Sequence, residues 1–572
     1  MRLLRNLTLL LLLLTLSCAA DSSEQLLEII EDYQNYEPYD RKEHPMGLFT
    51  EKRFSDEATF AQALLDKIQD VPYGDLSETD QISYTLLKFV LQDKVAFNAY
   101  ERYLNPLLSD AGFHLSFPYI VRPIRSLVDA HNYLEKLRAM PEVVDQQILN
   151  IRKGLEKGVS QPRVIFNGYA SSYNTHLTEN VSENYFFSPF LDLPGSFTLT
   201  QMDSLSQEAQ KAVNDYVIPS YEKVKQFFES EFLPNTRKTI GVSDTPEGKD
   251  YYQNRIDYYT TSTDFTAESI HQKGLEEVAR IRAEMDKIIY GLGYEGTFSG
   301  FLDFLRTDPQ FYVETGDELL MHARDIAKRS DEKLPSLFHT LPRKPYGVAP
   351  VPDAIAPKYT AGRYVGTSKD SQESGYYWVN TYNLPSRTLY TLPALTAHEA
   401  VPGHHLQGSL NNELPESIPS FRRNLYLSAY GEGWGLYSEF LGDEMGLYRT
   451  PYEKFGQLTY EMWRACRLVV DTGIHALGWS REQAFNYMKD NTALSIHEIN
   501  TEVDRYISWP GQALSYKIGE IKIRELRKTC EDALRDKFDI RDFHEVILSE
   551  GTVTLSILEN RIMNYIENKK SE

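Results

Sequence analysis

Thr396-Ala397-His398-Glu399-Ala400-Val401-Pro402-Gly403-His404-His405-Leu406-Gln407 holds three of the thirteen histidines of the chain, with a glutamate directly after the first. The run is otherwise helical in character, and that density of metal-ligating side chains points to chemistry rather than packing. Zinc hydrolases take three ligands from His and Glu and leave a fourth position for water. The common arrangement sets two His four residues apart on one helix face, with a Glu beside the first as base. On a regular helix the present spacing fails. His398 and His404 would sit about 240° apart around the axis, and His398 and His405 about 10.5 Å apart along it. Pro402 removes the difficulty, because it cannot donate to the carbonyl of His398 and clashes with it, so the helix must break or bulge. Gly403 permits the backbone that follows. A bulge absorbing two residues returns His404 to the place of the second ligand. His398 and His404 are therefore the expected metal ligands and Glu399 the expected base. His405 is kept in reserve as a ligand or assigned to substrate binding.

The third ligand should come from a later helix. Gly431-Glu432-Gly433-Trp434-Gly435 follows a Pro-containing loop long enough to reverse the chain, and its glycines would let a neighbouring backbone or substrate approach closely. Glu432 is the expected ligand, and Glu439, two turns on, either orients a ligand or makes a salt bridge. The same site implies one Zn2+ ion.

Around this centre the chain is expected to be mainly α. Helical pattern runs over 23–345, with a start at Ser77-Glu78-Thr79-Asp80, and helices near Ser126–Met140 and Glu142–Gly158 punctuated by Pro141. Residues 164–200 lack a clear period and read as a loop. Short strands separated by Pro, Gly and Ser occupy about 346–381, and helices return over 386–572 as the catalytic part. No linker or repeat divides 18–572 into separate units. A small sheet directly before the catalytic helix could bind an extended peptide at its edge, which makes Tyr377 and Asn380 candidates for pairing with a substrate backbone.

Composition narrows the partners. The chain of 572 residues carries a net charge of −22 with 41% hydrophobic and 25% charged residues. That balance suits a globular protein and excludes nucleic acid, which needs clustered Lys and Arg. Residues 1–17 have the layout of a secretory signal, too short to span a bilayer. Ser17-Cys18 resembles a bacterial lipobox, with Thr15 where Leu is usual, so membrane contact is expected only through a lipid on Cys18. Export to the bacterial cell envelope follows. Cys466 and Cys530 remain, too few for a disulfide scaffold.

His398 to Gln407, Gly431 to Trp434, Arg464 to His475, Arg505-Tyr506 and Pro510 to Gly519 together resemble a family of bacterial lipoproteins catalogued as domain of unknown function 885. The resemblance covers most of the mature chain. It implies a gluzincin-like zinc metallopeptidase, distantly similar to carboxypeptidase Taq, thimet oligopeptidase and angiotensin-converting enzyme, with a deep cleft. Against their His-Glu-Ala-Gly-His form, Val401-Pro402 is an insertion. It also implies His475 and Tyr516 as donors to an oxyanion, with Asp471 free to orient an imidazole. The expected activity is hydrolysis of peptide bonds. An amidase acting on a non-peptide or cell-wall fragment would share the same residues, and a peptide-binding lipoprotein without turnover would not need Glu399.

Overall fold

The computed structural model describes residues 22–353 and 355–572, so the signal segment and Cys18 lie outside the described residues. The protein is mainly helical with one small sheet. The helices that build it around the site are α1 (Glu51–Gln69), α2 (Glu78–Ala99), α3 (Leu127–Lys157), α4 (Ala267–Gly291) and α5 (Gly316–Leu337). Strands β1 (Tyr346–Pro350), β2 (Gly362–Val365) and β3 (Gly375–Val379) follow. After them come α6 (Leu392–Glu399), α7 (His404–Asn412), α8 (Ser428–Leu441), α9 (Pro451–His475), α10 (Ile496–Ser508) and α11 (Leu514–Leu534). No helix among the described residues is long and apolar enough to cross a membrane.

Local sequence explains most of these ends. Ser77 caps α2 by accepting from the Asp80 amide, as its pattern predicts. Residues 163–190 contain only short turns of helix, in keeping with the missing period. One expectation is overturned: α3 runs unbroken through Pro141. The proline forgoes one backbone bond and disfavours the turn before it, at roughly 3 kcal/mol. Leu137, Met140, Val143 and Val144 on both sides of it are buried in one core, which offsets that cost and keeps the axis continuous.

The sheet has the order β1-β3-β2, with β1 parallel and β2 antiparallel to β3. Helix α6 lies between two cores. Ala394, Leu395 and Ala400 join Tyr377 and Val379 of the sheet, and Ala397 and Val401 join Trp434, Ile523 and Leu526 from α8 and α11. The crossing of α8 and α11 depends on two glycines. A Cβ on Gly433 would stand 2.7 Å from the Gly519 Cα, and one on Gly519 would stand 1.9 Å from the Ala429 carbonyl oxygen. No larger residue fits either position without separating the helices.

The core also contains neutral imidazoles. Burial lowers the pKa of His114, His475 and His544 to about 3 and of His176 and His405 to about 4. Their unfolded value is near 6.5, so the unfolded chain binds more protons and stability falls as pH drops below that value. Asp471, raised by burial to about 7, Asp257 and Asp504, also raised by burial, and His398, raised to about 10 without an ion, work in the opposite direction but offset only part of the loss. Urea unfolding in the presence of a chelator should show a loss on the order of 5 kcal/mol between pH 7 and pH 5. A flat profile over that window would mean that these rings are not held neutral.

Candidate metal centre

The helix carrying His398 ends one residue later, as Pro402 requires. The backbone leaves α6 at Ala400, passes through a cis Val401–Pro402 peptide, and re-enters helix at His404. The Gly403 amide donates to the Ala397 carbonyl at 3.0 Å and the His405 amide to that of Ala400 at 3.1 Å. A Cβ at Gly403 would lie 1.8 Å from the His398 carbonyl oxygen, so only glycine fits the turn. Trp434 of α8 donates from Nε1 to the Pro402 carbonyl at 2.8 Å and ties the break to the helix carrying Glu432. The break brings the His398 and His404 rings to 4.7 Å between centroids, with an interplanar angle of 84°.

Glu432 meets both. Its Oε2 is 3.4 Å from His398 Nε2 and 3.4 Å from His404 Nε2, and one ligand atom of each of the three residues lies within 4.8 Å of the others. Bonds of about 2.1 Å in a tetrahedron place neighbouring ligand atoms roughly 3.4 Å apart, so the spacing matches what one zinc ion needs. Glu439 accepts from His398 Nδ1 at 2.8 Å, which leaves Nε2 unprotonated toward the ion and orients the ring. Burial would keep His398 neutral, but the carboxylates of Glu432 and Glu439 outweigh it and push its pKa to about 10 when no ion is bound. The carboxyl of Glu432 is held well below its usual range: burial opposes this, and the adjacent His404 and His398 rings outweigh burial. An ion held by these residues would compete with a proton on His398. His339, Asp539 and Asp542 form a second group with ligand geometry, but Arg541 and Lys569 already pair with its carboxylates.

Gly435 lies directly beneath His398, where a Cβ would stand 2.7 Å from ring Nε2. Gly435→Ala should tilt that ring away from Glu432 and weaken zinc binding by about 10–100-fold, the usual cost of disturbing the support of a ligand. Competition with a chromophoric chelator reads this directly, and unchanged affinity would place the ring elsewhere.

Glu399 is buried beside these ligands, and its Oε2 accepts the backbone N–H of Tyr364 at 2.8 Å. Tyr364 lies on β2, an outer strand, so its outward amide fixes the carboxylate. Tyr516 lies near enough to act electrostatically on Tyr426 and Arg363, and Tyr426 donates to Glu432 Oε1 at 2.9 Å. The structure thus gathers His398, Glu399, His404 and Glu432, and Tyr516 reaches them only through its electrostatic influence on Tyr426 and Arg363.

Other expected site residues lie elsewhere. Tyr377 and Asn380 are fully buried. Tyr377 is on the central strand, with β1 and β2 on either side, and the Asn380 amide donates to the carbonyls of Ala356, Tyr359 and Thr360. Neither can pair with a substrate backbone. His405 turns away from the ligands, bonds the Tyr364 hydroxyl at 3.1 Å, and packs on Tyr346; it supports the sheet. Both ring nitrogens of His475 are bonded to backbone, to the Val242 amide and the Tyr506 carbonyl, so it cannot serve an oxyanion. Asp471 orients no imidazole: it accepts from the Tyr252 hydroxyl and the Gly511 amide. The sequence reading missed Tyr364, Arg363, Tyr426 and the role of Trp434. Only Trp434, inside the glycine-flanked Glu432 motif, carried a signal that could have found it.

The profile of a family described as "Bacterial protein of unknown function (DUF885)" matches residues 35–562. No curated protein matches the chain. A solved structure described as "the putative lipoprotein from Colwellia psychrerythraea" aligns with a TM-score of 0.86 at 26% identity, covering 96% of this chain and 99% of that one. Another, described as "a putative lipoprotein of unknown function from Shewanella oneidensis", aligns with a TM-score of 0.68 at 18% identity, covering 96% and 98%, and shows the fold alone.

Proposed function

The chain belongs to the DUF885 family of bacterial proteins, and we propose that this member is a zinc-dependent peptidase of the gluzincin type, holding one Zn2+ on His398, His404 and Glu432. The observation that carries the proposal is the pair of 3.4 Å separations from Glu432 Oε2 to the two Nε2 atoms, with the far nitrogen of His398 held by Glu439. A donor set of two neutral imidazoles and one carboxylate suits zinc and leaves a fourth position open. When bound, the ion supplies a Lewis acid for a carbonyl oxygen and for acidifying a water. Glu399 takes the proton of the attacking water and delivers it to the departing amine. Its acceptance of the Tyr364 N–H holds one oxygen and leaves the other to exchange the proton. The Tyr516 hydroxyl donates to the carbonyl oxygen as negative charge gathers there. Because Glu399 holds the Tyr364 amide, an extended substrate beside β2 uses the other outward backbone groups of that strand, in place of the pairing with Tyr377 and Asn380 expected from sequence. The lipoprotein description of the Colwellia structure supports a lipid on Cys18 and a site in the cell envelope.

Digestion of a defined peptide library, read by mass spectrometry, tests this. Cleavage should vanish with o-phenanthroline and return with zinc. A folded protein that holds one zinc per chain and cuts no peptide would refute it, and products from cell-wall amides alone would make the protein an amidase.

A further inference from the structure

Beyond the ligands, α9, α10, α11 and the turn between the last two bring Arg467, Arg505, Tyr516 and Gln512 together. Arg467 is 2% exposed. It donates from Nε to the Tyr506 hydroxyl at 3.0 Å and from Nη2 to Glu502 at 2.9 Å. Its guanidinium lies 4.2 Å from the centre of the Tyr516 ring. Arg505 donates from Nη2 to Gln512 Oε1 at 3.0 Å, with the same nitrogen 3.5 Å from the Tyr516 hydroxyl, and its Nη1 is 3.6 Å from Glu502. Two guanidinium groups thus share the single carboxylate of Glu502. Arg467 Nη1 and Arg505 Nε are buried and find no hydrogen-bond partner among the described residues. Arg363, on the outer strand β2, adds a third cation close to Tyr516, Glu399 and Glu432.

A buried positive charge in excess is costly unless paired; a planar guanidinium pairs bidentately with a carboxylate or a phosphate, and a peptide brings the carboxylate of its own terminus. Tyr516 links the two regions. Its hydroxyl lies 3.5 Å from Arg505 Nη2, and it is close enough to Tyr426, the donor to Glu432, to act on it electrostatically. A peptide that ran from the ligands past Tyr516 would carry its end toward the arginines. We propose that Arg467 and Arg505 bind the terminal carboxylate of the peptide substrate, so that the protein trims peptides from their C-terminal end. This rests on the peptidase reading, and it assigns to that site a direction of cleavage. Neither arginine touches the reacting bond; both select and position the substrate.

The test uses a fluorescein-labelled, alanine-rich octapeptide made as free acid, as C-terminal amide, and as an amide ending in a glutamate. Anisotropy measures binding to the zinc-loaded Glu399→Gln variant, and cleavage is followed in parallel with the wild-type protein. The free acid should bind on the order of 50-fold tighter than either amide, as expected when a charge-assisted pair is lost. Arg505→Gln in that background should bring the acid down to the level of the amide. Should Arg505→Gln fail to fold, the three peptides on the Glu399→Gln variant still decide. Equal binding of acid and amide would overturn the proposal, as would tight binding of the amide ending in glutamate, which would make the site one for acidic side chains. Equal cleavage of acid and amide overturns this proposal and leaves the peptidase reading intact. Selective binding of the acid without cleavage supports carboxylate recognition and refutes the peptidase.

Discussion

Glu399→Gln should lower peptide cleavage by about 10³-fold, near the middle of the range lost with a general acid–base group, while the protein keeps one zinc ion. The substitution preserves volume, and the amide oxygen of Gln can still accept the Tyr364 N–H that holds the native carboxylate, so α6 and β2 should stay in place. What is lost is the capacity to take and return a proton. Binding of an uncleaved peptide should change little, so the fall belongs in kcat rather than KM. Zinc content and thermal midpoint, measured on the same preparation, separate this outcome from a damaged site. Undiminished cleavage would remove Glu399 from the proton path, and loss of zinc would make Glu399 part of the metal's support.

The contrast between what could and could not be inferred along the chain is physical. That His398 and His404 come together was legible because helix geometry and the backbone chemistry of proline are local. The spacing excluded a regular helix, Pro402 supplied the break, and the observed turn closes with bonds from Gly403 and His405 to carbonyls only a few residues back. The positions of the strands were legible for the same reason, since Gly and Pro bound them. Their order was not. Which of three short strands takes the centre depends on pairing at a distance, and that order decides that the Tyr364 amide, not Tyr377, faces the site. His475 and Asp471 misled because a polar residue near the end of a long helix carries no local mark of its partner. Their partners, Val242 and Tyr252 from one stretch and Tyr506 and Gly511 from another, are both distant in sequence. The run through Pro141 fails in the other direction, with burial on both sides outweighing a strong local breaker.

The remaining ambiguity of the sequence, which of two adjacent histidines is the ligand, yields the second large effect. His404→Ala should abolish stable zinc binding and cleavage together, whereas His405→Ala should keep one zinc per chain. The His404 ring reaches Glu432 at 3.4 Å and faces His398. Without it two protein ligands remain, and structural or catalytic zinc sites hold three or four. His404 is also partly open to solvent, so its removal costs little packing and the folded protein should survive for the measurement. His405 is a different case. Burial lowers its pKa to about 4, and it lies between Tyr346, Tyr364 and Ser409. Truncating it opens a cavity under the sheet and frees the Tyr364 hydroxyl, with a stability loss of about 2–4 kcal/mol. Because Tyr364 also holds Glu399 through its amide, cleavage should fall moderately while zinc stays bound. The two variants therefore separate along different axes, metal content for His404 and unfolding midpoint for His405. The reverse pattern, with zinc lost in His405→Ala and kept in His404→Ala, would require the chain to leave α6 by a different turn from the one that Pro402 and Gly403 make.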